Sequence, residues 1–338
     1  MSAAVEGGSR SHDLPARASP QRLGRSYVIA LLKRRGISPR KALGQNFLVD
    51  PSVAKKMCRI AEVSEADCVL EIGPGVGSLT TALVGCGAYV LAIEKDAALA
   101  SVVRSTVPGA LVVSADAFVA DVIEAAKEAL DVLQTEAGGH SWKTVLEAFE
   151  AARDWKLVSN LPYSRGTSLL LHLLETYPKV RSGAVMLQVE VAQRLCGSKD
   201  SRNSSAASLL LAYAAEASIA AKVPPDVFYP RPRVVSAIVQ FQRREKPPVV
   251  APKQLLFALV NQGFAFRRKM LKNALVGLEW FSDPHFATEL FAKAGIDPTA
   301  RAEQIGLEGF AALASAVREV DSEWQNSLPI LKKKRWVP

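Results

Sequence analysis

Apolar residues in this chain gather in short blocks, separated by stretches with helical spacing. "CVLEIG" (68–73) and "AYVLAIE" (88–94) are near-continuous apolar runs that end at a glycine or an acid. Runs that short, rich in branched side chains, predict parallel strands buried on both faces. "ALVVSADA" (110–117), "WKLVSNLP" (155–162) and "SGAVMLQV" (182–189) continue the series, and "AIVQFQRR" (237–244) predicts its last strand. Helical patterns such as "GSLTTALVGCG" lie between them. Strands alternating with helices predict an α/β fold with a doubly wound parallel sheet. "EKPP" (245–248) marks a linker, and about 253–320 reads as short helices forming a smaller unit.

Three segments stand outside this alternation. Between Asp116 and Asn160 lie 43 residues, more than one crossover helix needs. They predict two amphipathic helices broken at Gly138-Gly139, an acidic surface insertion over about 118–153. "ASLLLAYAAEA" (207–217) suits a buried strand or helix; it is far short of the roughly 18–20 apolar residues that span a bilayer, and no membrane is expected as a partner. Residues 1–25 are rich in Ser, Arg, Gly and Pro without apolar periodicity, which predicts a disordered tail. Their Arg and Ser also suit the remains of an organelle-targeting segment, against which Glu6 and Asp13 weigh.

Composition adds little except charge. Of 338 residues, 49% are apolar and 22% charged, as in ordinary globular proteins. The cysteines (Cys58, Cys68, Cys86, Cys196) form no CxxC pair, and none has a histidine at ligand spacing. They read as buried free thiols in a reducing compartment, with no metal expected. The net charge of +9 is uneven: residues 111–160 carry four basic and nine acidic side chains, so the remainder sums to +14. Such asymmetry suits either a polyanionic partner or a well-solvated basic surface.

"EIGPGVGSLT" (71–80) follows a strand and opens a helix. Gly73, Gly75 and Gly77 are spaced G-x-G-x-G, which is not the dinucleotide fingerprint G-x-G-x-x-G. In sheets of this kind ligands bind beyond the carboxyl ends of the strands. Glu94 ends the next strand, where a carboxylate can accept from two ribose hydroxyls. Asp116 ends the third and can accept from an adenine amine. A nucleoside cofactor without phosphates follows, and S-adenosyl-L-methionine matches it better than NAD. Taken singly, the glycines serve as a tight turn, Glu94 as a solvated strand end and Asp116 as a helix cap.

"SNLPY" (159–163) closes the fourth strand beside that site. The amine of a nucleobase is a poor nucleophile because its lone pair is delocalised into the ring. Two acceptors around the NH₂, the Asn160 side-chain oxygen and the Leu161 carbonyl, free that lone pair. Pro162 fixes the backbone and has no N–H, and Tyr163 can stack on the base. This is catalysis by position and electrostatics. Alone, the same residues also make a strand-ending turn.

In these pieces the chain resembles the ribosomal RNA adenine dimethyltransferases. "LGQNFLVD" (43–50), "EIGPGVGSLT", "IEKD" (93–96), "ADA" (115–117), "NLPY", "LQVEVAQRL" (187–195), "VPPDVFYPRPRVVSAIV" (223–239) and "FAFRRKMLKNAL" (264–275) occur in the family's order, and "RAEQI" (301–305) suits its C-terminal helices. The resemblance implies a Rossmann-like class I methyltransferase domain over 26–245 and a small all-helical RNA-binding domain over 246–338 with a basic tail. It implies S-adenosyl-L-methionine as cofactor, touched by Asn46, Leu48, Gly73, Glu94, Asp116 and Asn160. Phe228 would sandwich a flipped-out adenine with Tyr163, or else serve as a core aromatic under the Pro-rich loop. Arg267, Arg268, Lys269 and Lys272, with "LKKKRW" (331–336), would meet RNA phosphates. The reaction implied is N6 dimethylation of two adjacent adenosines in small-subunit rRNA, by a monomer acting on an immature small ribosomal subunit.

Two stretches depart from the family pattern. Ser164-Arg165 follows "NLPY" where Asn-Ile is usual, and "GSKDSRNSSAASLL" (197–210) lacks a Tyr-Gly-Arg. Both bear on RNA docking rather than cofactor binding. They keep open an assembly factor with weak or lost catalysis, and, further off, a DNA adenine methyltransferase. The long insertion and the N-terminal composition suit a plastid or mitochondrion, with a bacterial cytoplasm as the alternative.

Overall fold

The structure is a computed structural model that describes residues 23–40, 44–133, 139–197, 204–266 and 268–327. Nine strands are described: β1 (Phe47–Leu48), β2 (Cys68–Ile72), β3 (Tyr89–Glu94), β4 (Ala110–Ser114), β5 (Trp155–Asn160), β6 (Val180–Gln188), β7 (Ala215–Val223), β8 (Phe228–Tyr229) and β9 (Ser236–Arg243). Seven of them form one sheet in the order β4-β3-β2-β5-β6-β9-β7. The first five are parallel; β9 runs antiparallel to both β6 and β7. The parallel expectation therefore holds for five strands and fails at one edge. β9 does not close the sheet, because β7 pairs outside it. "ASLLLAYAAEA" is both of the predicted alternatives in turn, helix Ala206–Ala214 and then the start of β7.

The alternation of side chains divides the core into two layers. On β3, Val90 and Ala92 face helices 51–60, 78–85 and 97–106, while Leu91 and Ile93 face the opposite layer. Local chemistry starts these helices where the motifs need them. Asp50 accepts from the Ser52 amide at 2.8 Å and Pro51 follows it, so helix 51–60 begins directly after β1. Asp96 caps helix 97–106 in the same way, two residues beyond Glu94.

The 118–153 segment differs from expectation. Its helices, Val122–Leu133 and Gly139–Ala151, are not an outlying surface insertion. Val122, Ala126, Trp142, Val145 and Phe149 are buried in the same core as β2, β3 and β4. Among the described residues of these helices, the acidic side chains that suggested an appendage (Glu124, Glu128, Asp131, Glu147 and Glu150) are exposed. This hairpin covers a sheet surface that would otherwise be bare.

C-terminal to the linker, helices 253–265, 284–293 and 302–320 carry most of the last unit. Leu255, Leu259 and Leu313 share a continuous core with Leu209–Leu211 of helix 206–214. At the other end the predicted tail 1–25 overshoots. Leu23 is buried and a helix starts at Arg25; residues 1–22 lie outside the described residues, as does "LKKKRW". No described helix is long and apolar enough to cross a membrane.

Candidate active site

The sheet order reverses between β2 and β5, the place where such sheets bind ligands. The carboxyl ends of β2, β3, β4 and β5 bring together Gly73, Glu94, Asp116 and Asn160. In the glycine loop Gly73, Gly75 and Gly77 have φ of +68°, +59° and +89°, a region costly to residues with a Cβ. Their surroundings differ. A Cβ on Gly75 would come within 2.8 Å of the Phe47 ring, and one on Gly77 within 3.1 Å of Val107. One on Gly73 would meet nothing within 4 Å. Gly75 and Gly77 thus serve packing, while Gly73 borders open space.

Glu94 is buried, and its two oxygens accept from the amides of Gly75 at 3.2 Å and Asp96 at 2.9 Å. Burial raises its pKa, and those amide bonds oppose the rise. Asp116 accepts from Lys95 at 2.8 Å and from the Phe118 amide at 3.0 Å. Partial burial pushes its pKa up, yet Lys95 and the Phe118 amide hold it below the usual value. The two acids keep distinct environments, one dry and one beside an ammonium. Their remaining lone pairs, with the open space at Gly73, fit a nucleoside's ribose and amine and offer nothing to a phosphate.

Asn160 is the centre of the arrangement. Its Nδ2 donates to the Asn46 carbonyl at 3.1 Å, while its Oδ1 is buried with no hydrogen-bond partner. An unsatisfied buried acceptor is costly unless a ligand completes it. Asn46 in turn donates to the Gly44 carbonyl at 3.1 Å. Leu161 is buried beneath the turn, and Pro162 accepts from the Arg165 amide at 3.1 Å. The Tyr163 hydroxyl lies 2.6 Å from Ser236 Oγ, and burial raises its pKa.

β1 and β8 form a separate two-stranded ribbon that joins two motifs remote in sequence. Leu48 pairs with Phe228 and Phe47 with Tyr229. Leu48 is therefore a buried ribbon residue. The base sandwich requires correction. Phe228 is 0% exposed, and its ring meets Tyr163 edge-on, with centroids 6.5 Å apart and planes at 74°. No slot for a base lies between rings so arranged. Phe228 is a core aromatic that steadies Tyr163 from beneath.

The basic RNA candidates are not gathered here. Arg268, Lys269 and Lys272 are exposed around the turn after helix 253–265, and Lys269 sits 4.6 Å from the Phe266 ring centre. Arg267 lies outside the described residues. Sequence reasoning missed Ser236, Lys95 and the main-chain role of Asn46. The last has no side-chain signal to find. Ser164 and Arg165 are exposed directly after Tyr163, the Arg165 guanidinium 5.2 Å from the Phe118 ring centre.

A cleft of about 550 Å³ lies at the opposite end of the sheet, lined by Lys156, Ser182, Glu216, Gln240 and Arg244 among others. It contains none of the predicted site residues. Cys58 and Cys68 are buried free thiols, whereas Cys86 and Cys196 are only partly buried. Among the described residues no three His, Cys, Asp or Glu side chains converge as a metal site.

Comparison with known proteins agrees with this geometry. Two solved structures share the fold: a dimethyladenosine transferase from Plasmodium falciparum (TM-score 0.60, 19% identity, 80% of this chain and 96% of that one) and the 23S rRNA methyltransferase ErmE (TM-score 0.54, 22% identity, 80% and 99%). The ribosomal RNA small subunit methyltransferase A of Kineococcus radiotolerans is 38% identical over 290 residues, covering 84% of this chain and 88% of that protein. The protein of the same name from Cutibacterium acnes is also 38% identical, covering 84% and 90%. The sequence model for ribosomal RNA adenine dimethylase matches residues 36–318, a span that holds every strand end described above, and the chain belongs to that family.

Proposed function

We propose that this protein transfers methyl groups from S-adenosyl-L-methionine to adenine N6 in small-subunit rRNA, twice on each of two adjacent adenosines, during maturation of the subunit. The observation that carries the reading is the Asn160 amide, whose Nδ2 is held by the Asn46 carbonyl while Oδ1 is buried and unpartnered. That oxygen accepts from the adenine N6 amine, and the Leu161 carbonyl accepts from its second hydrogen. The lone pair is thereby drawn out of the ring and left free to attack. When bound, the cofactor would supply an electrophilic methyl group whose bond to sulfur breaks as the bond to N6 forms, leaving a neutral thioether, and each transfer releases one N6 proton to solvent. Glu94 would hold its ribose hydroxyls, Asp116 its adenine amine, and Gly73 the space alongside. Tyr163, tethered to Ser236, offers its face to the target base, and Pro162 fixes the turn. A second methylation needs only one remaining N–H acceptor, so the same pair serves both rounds.

The immature subunit as substrate, a monomeric enzyme and a plastid or mitochondrial location extend this proposal from the sequence; localising a fluorescent fusion tests the last against a bacterial cytoplasm. The reaction is tested with purified protein, labelled S-adenosyl-L-methionine and undermethylated small subunits, followed by nucleoside analysis. Dimethyladenosine is the expected product. Cofactor binding without product would replace this reading with that of an assembly factor, and methylation of duplex DNA instead of RNA with that of a DNA enzyme.

A further inference from the structure

Helix 25–34 precedes the residues matched by the family model, yet it is built into the site. Val28 and Leu32 pack in one buried cluster with Phe47 of β1, Val76 of the glycine loop and Leu99 of helix 97–106. At its first residue, Arg25 donates through Nη2 to the Asp226 carbonyl and to the Phe228 carbonyl, the latter at 3.0 Å. The Asp226 carboxylate is not the partner; it pairs with Arg231 at 3.0 Å. A guanidinium bridging two main-chain carbonyls fixes the backbone whatever the side chains do.

We propose that Arg25 is a positioning residue for methyl transfer. It pins residues 226–229, and these hold β1 through the pairing of Phe228 with Leu48. Two residues ahead of Leu48 is the Asn46 carbonyl that orients the Asn160 amide. Arg25 thus acts on Asn160 through the ribbon and touches neither cofactor nor base. This inference rests on the functional reading above, so its first test needs no reaction.

Hydrogen exchange on the full chain compares the parent with Arg25→Ala. Faster exchange at the amides of 226–229 and 46–49, with the glycine loop unchanged, is expected. Unchanged exchange at those amides overturns the proposal whether or not the enzyme is active. In the methyl-transfer assay, Arg25→Ala lowers kcat on the order of tenfold or more, the scale set by a small misplacement of reacting groups. Affinity for S-adenosyl-L-methionine and the melting temperature stay near the parent values. Arg25→Lys, which keeps the charge but loses the planar fork, recovers part of kcat. Arg35→Ala removes another bond of the same helical segment, to Ser105 at 3.2 Å, and leaves kcat within about twofold. A parallel fall of kcat, cofactor affinity and melting temperature in Arg25→Ala would mark the helix as a mere brace and overturn the proposal.

Discussion

Asn160 donates to the main-chain carbonyl of Asn46 at 3.1 Å, across 114 residues of sequence. That single bond decides which end of the amide faces the site. With Nδ2 occupied, Oδ1 is left as an acceptor without a partner. The two residues should therefore fail differently. Asn160→Ala removes the acceptor and lowers the transfer rate by about 10²–10³, the range for deleting one preorganised group, while the protein still binds cofactor. Asn46→Ala keeps the carbonyl, so kcat stays within a few-fold and the change appears in the KM for S-adenosyl-L-methionine. Steady-state kinetics with immature subunits separate the two.

The glycine loop supplies a paired prediction. Gly73→Ala and Gly75→Ala both place a Cβ in left-handed backbone, at roughly 1–2 kcal/mol each. Only at Gly75 does that Cβ reach the Phe47 ring, within 2.8 Å. Gly75→Ala should therefore lower the urea midpoint further than Gly73→Ala does. Equal midpoints for the two variants would show that the Phe47 contact relaxes freely.

The helical hairpin is tested through its core. Phe149 is fully buried, tilted against Trp155 with ring centres 5.1 Å apart. Phe149→Ala should cost about 3–5 kcal/mol, as for other buried aromatics truncated to alanine. An appended surface element would give a loss near zero in the same denaturation experiment.

Stability should also depend on pH through Glu71. This carboxyl lies fully buried on β2, and its Oε2 has no partner. Burial first, and then nearby Glu94, push its pKa from 4.5 up to about 8, with the Thr80 hydroxyl pulling the other way. Between those values the folded chain binds more protons than the unfolded one. The contribution is complete below the lower value and is lost as pH rises to the upper. The slope approaches about 1.4 kcal/mol per pH unit. Glu94, shifted in the same direction, adds to it. Asp67 and Asp116, whose pKa values are lowered, are already ionised in both states across this window. Glu71→Gln should flatten the decline between pH 5.5 and 8, read from urea midpoints at both values.

Binding of RNA should weaken linearly in log affinity against log salt, by about 0.7–0.9 per phosphate contact. Neutralising Lys269 or Lys272 should each reduce that slope by about one, measured by filter binding with rRNA fragments. A slope unchanged in both variants would remove this turn from the RNA footprint.

Much of the fold was legible because short apolar runs admit few alternatives. β2 to β6 lie within or beside the predicted blocks, and Gly73, Glu94, Asp116 and Asn160 stand at strand ends as expected. Where the reading failed, local pattern was the wrong scale. The acidic residues of 118–153 described one face of each helix, and Trp142 and Phe149 on the other face were outweighed in a count of charge. β7 carries alternating small and polar residues that read no differently from a loop until β9 pairs with it.

The sequence by itself determined the alternation of strand and helix, the glycines at positive φ and the acids that follow strands, because each depends on neighbours within a few residues. Only the tertiary structure decided that Phe228 lies buried beside Tyr163 instead of open to a base. It alone joined "QNFL" to "DVFY" as a ribbon, held from outside by Arg25. It alone aimed Asn160 Oδ1 into the site by occupying Nδ2 with a carbonyl. These relations depend on main-chain groups and on packing between segments more than sixty residues apart. Every residue carries the same carbonyl, so no side-chain pattern announces which one will be used.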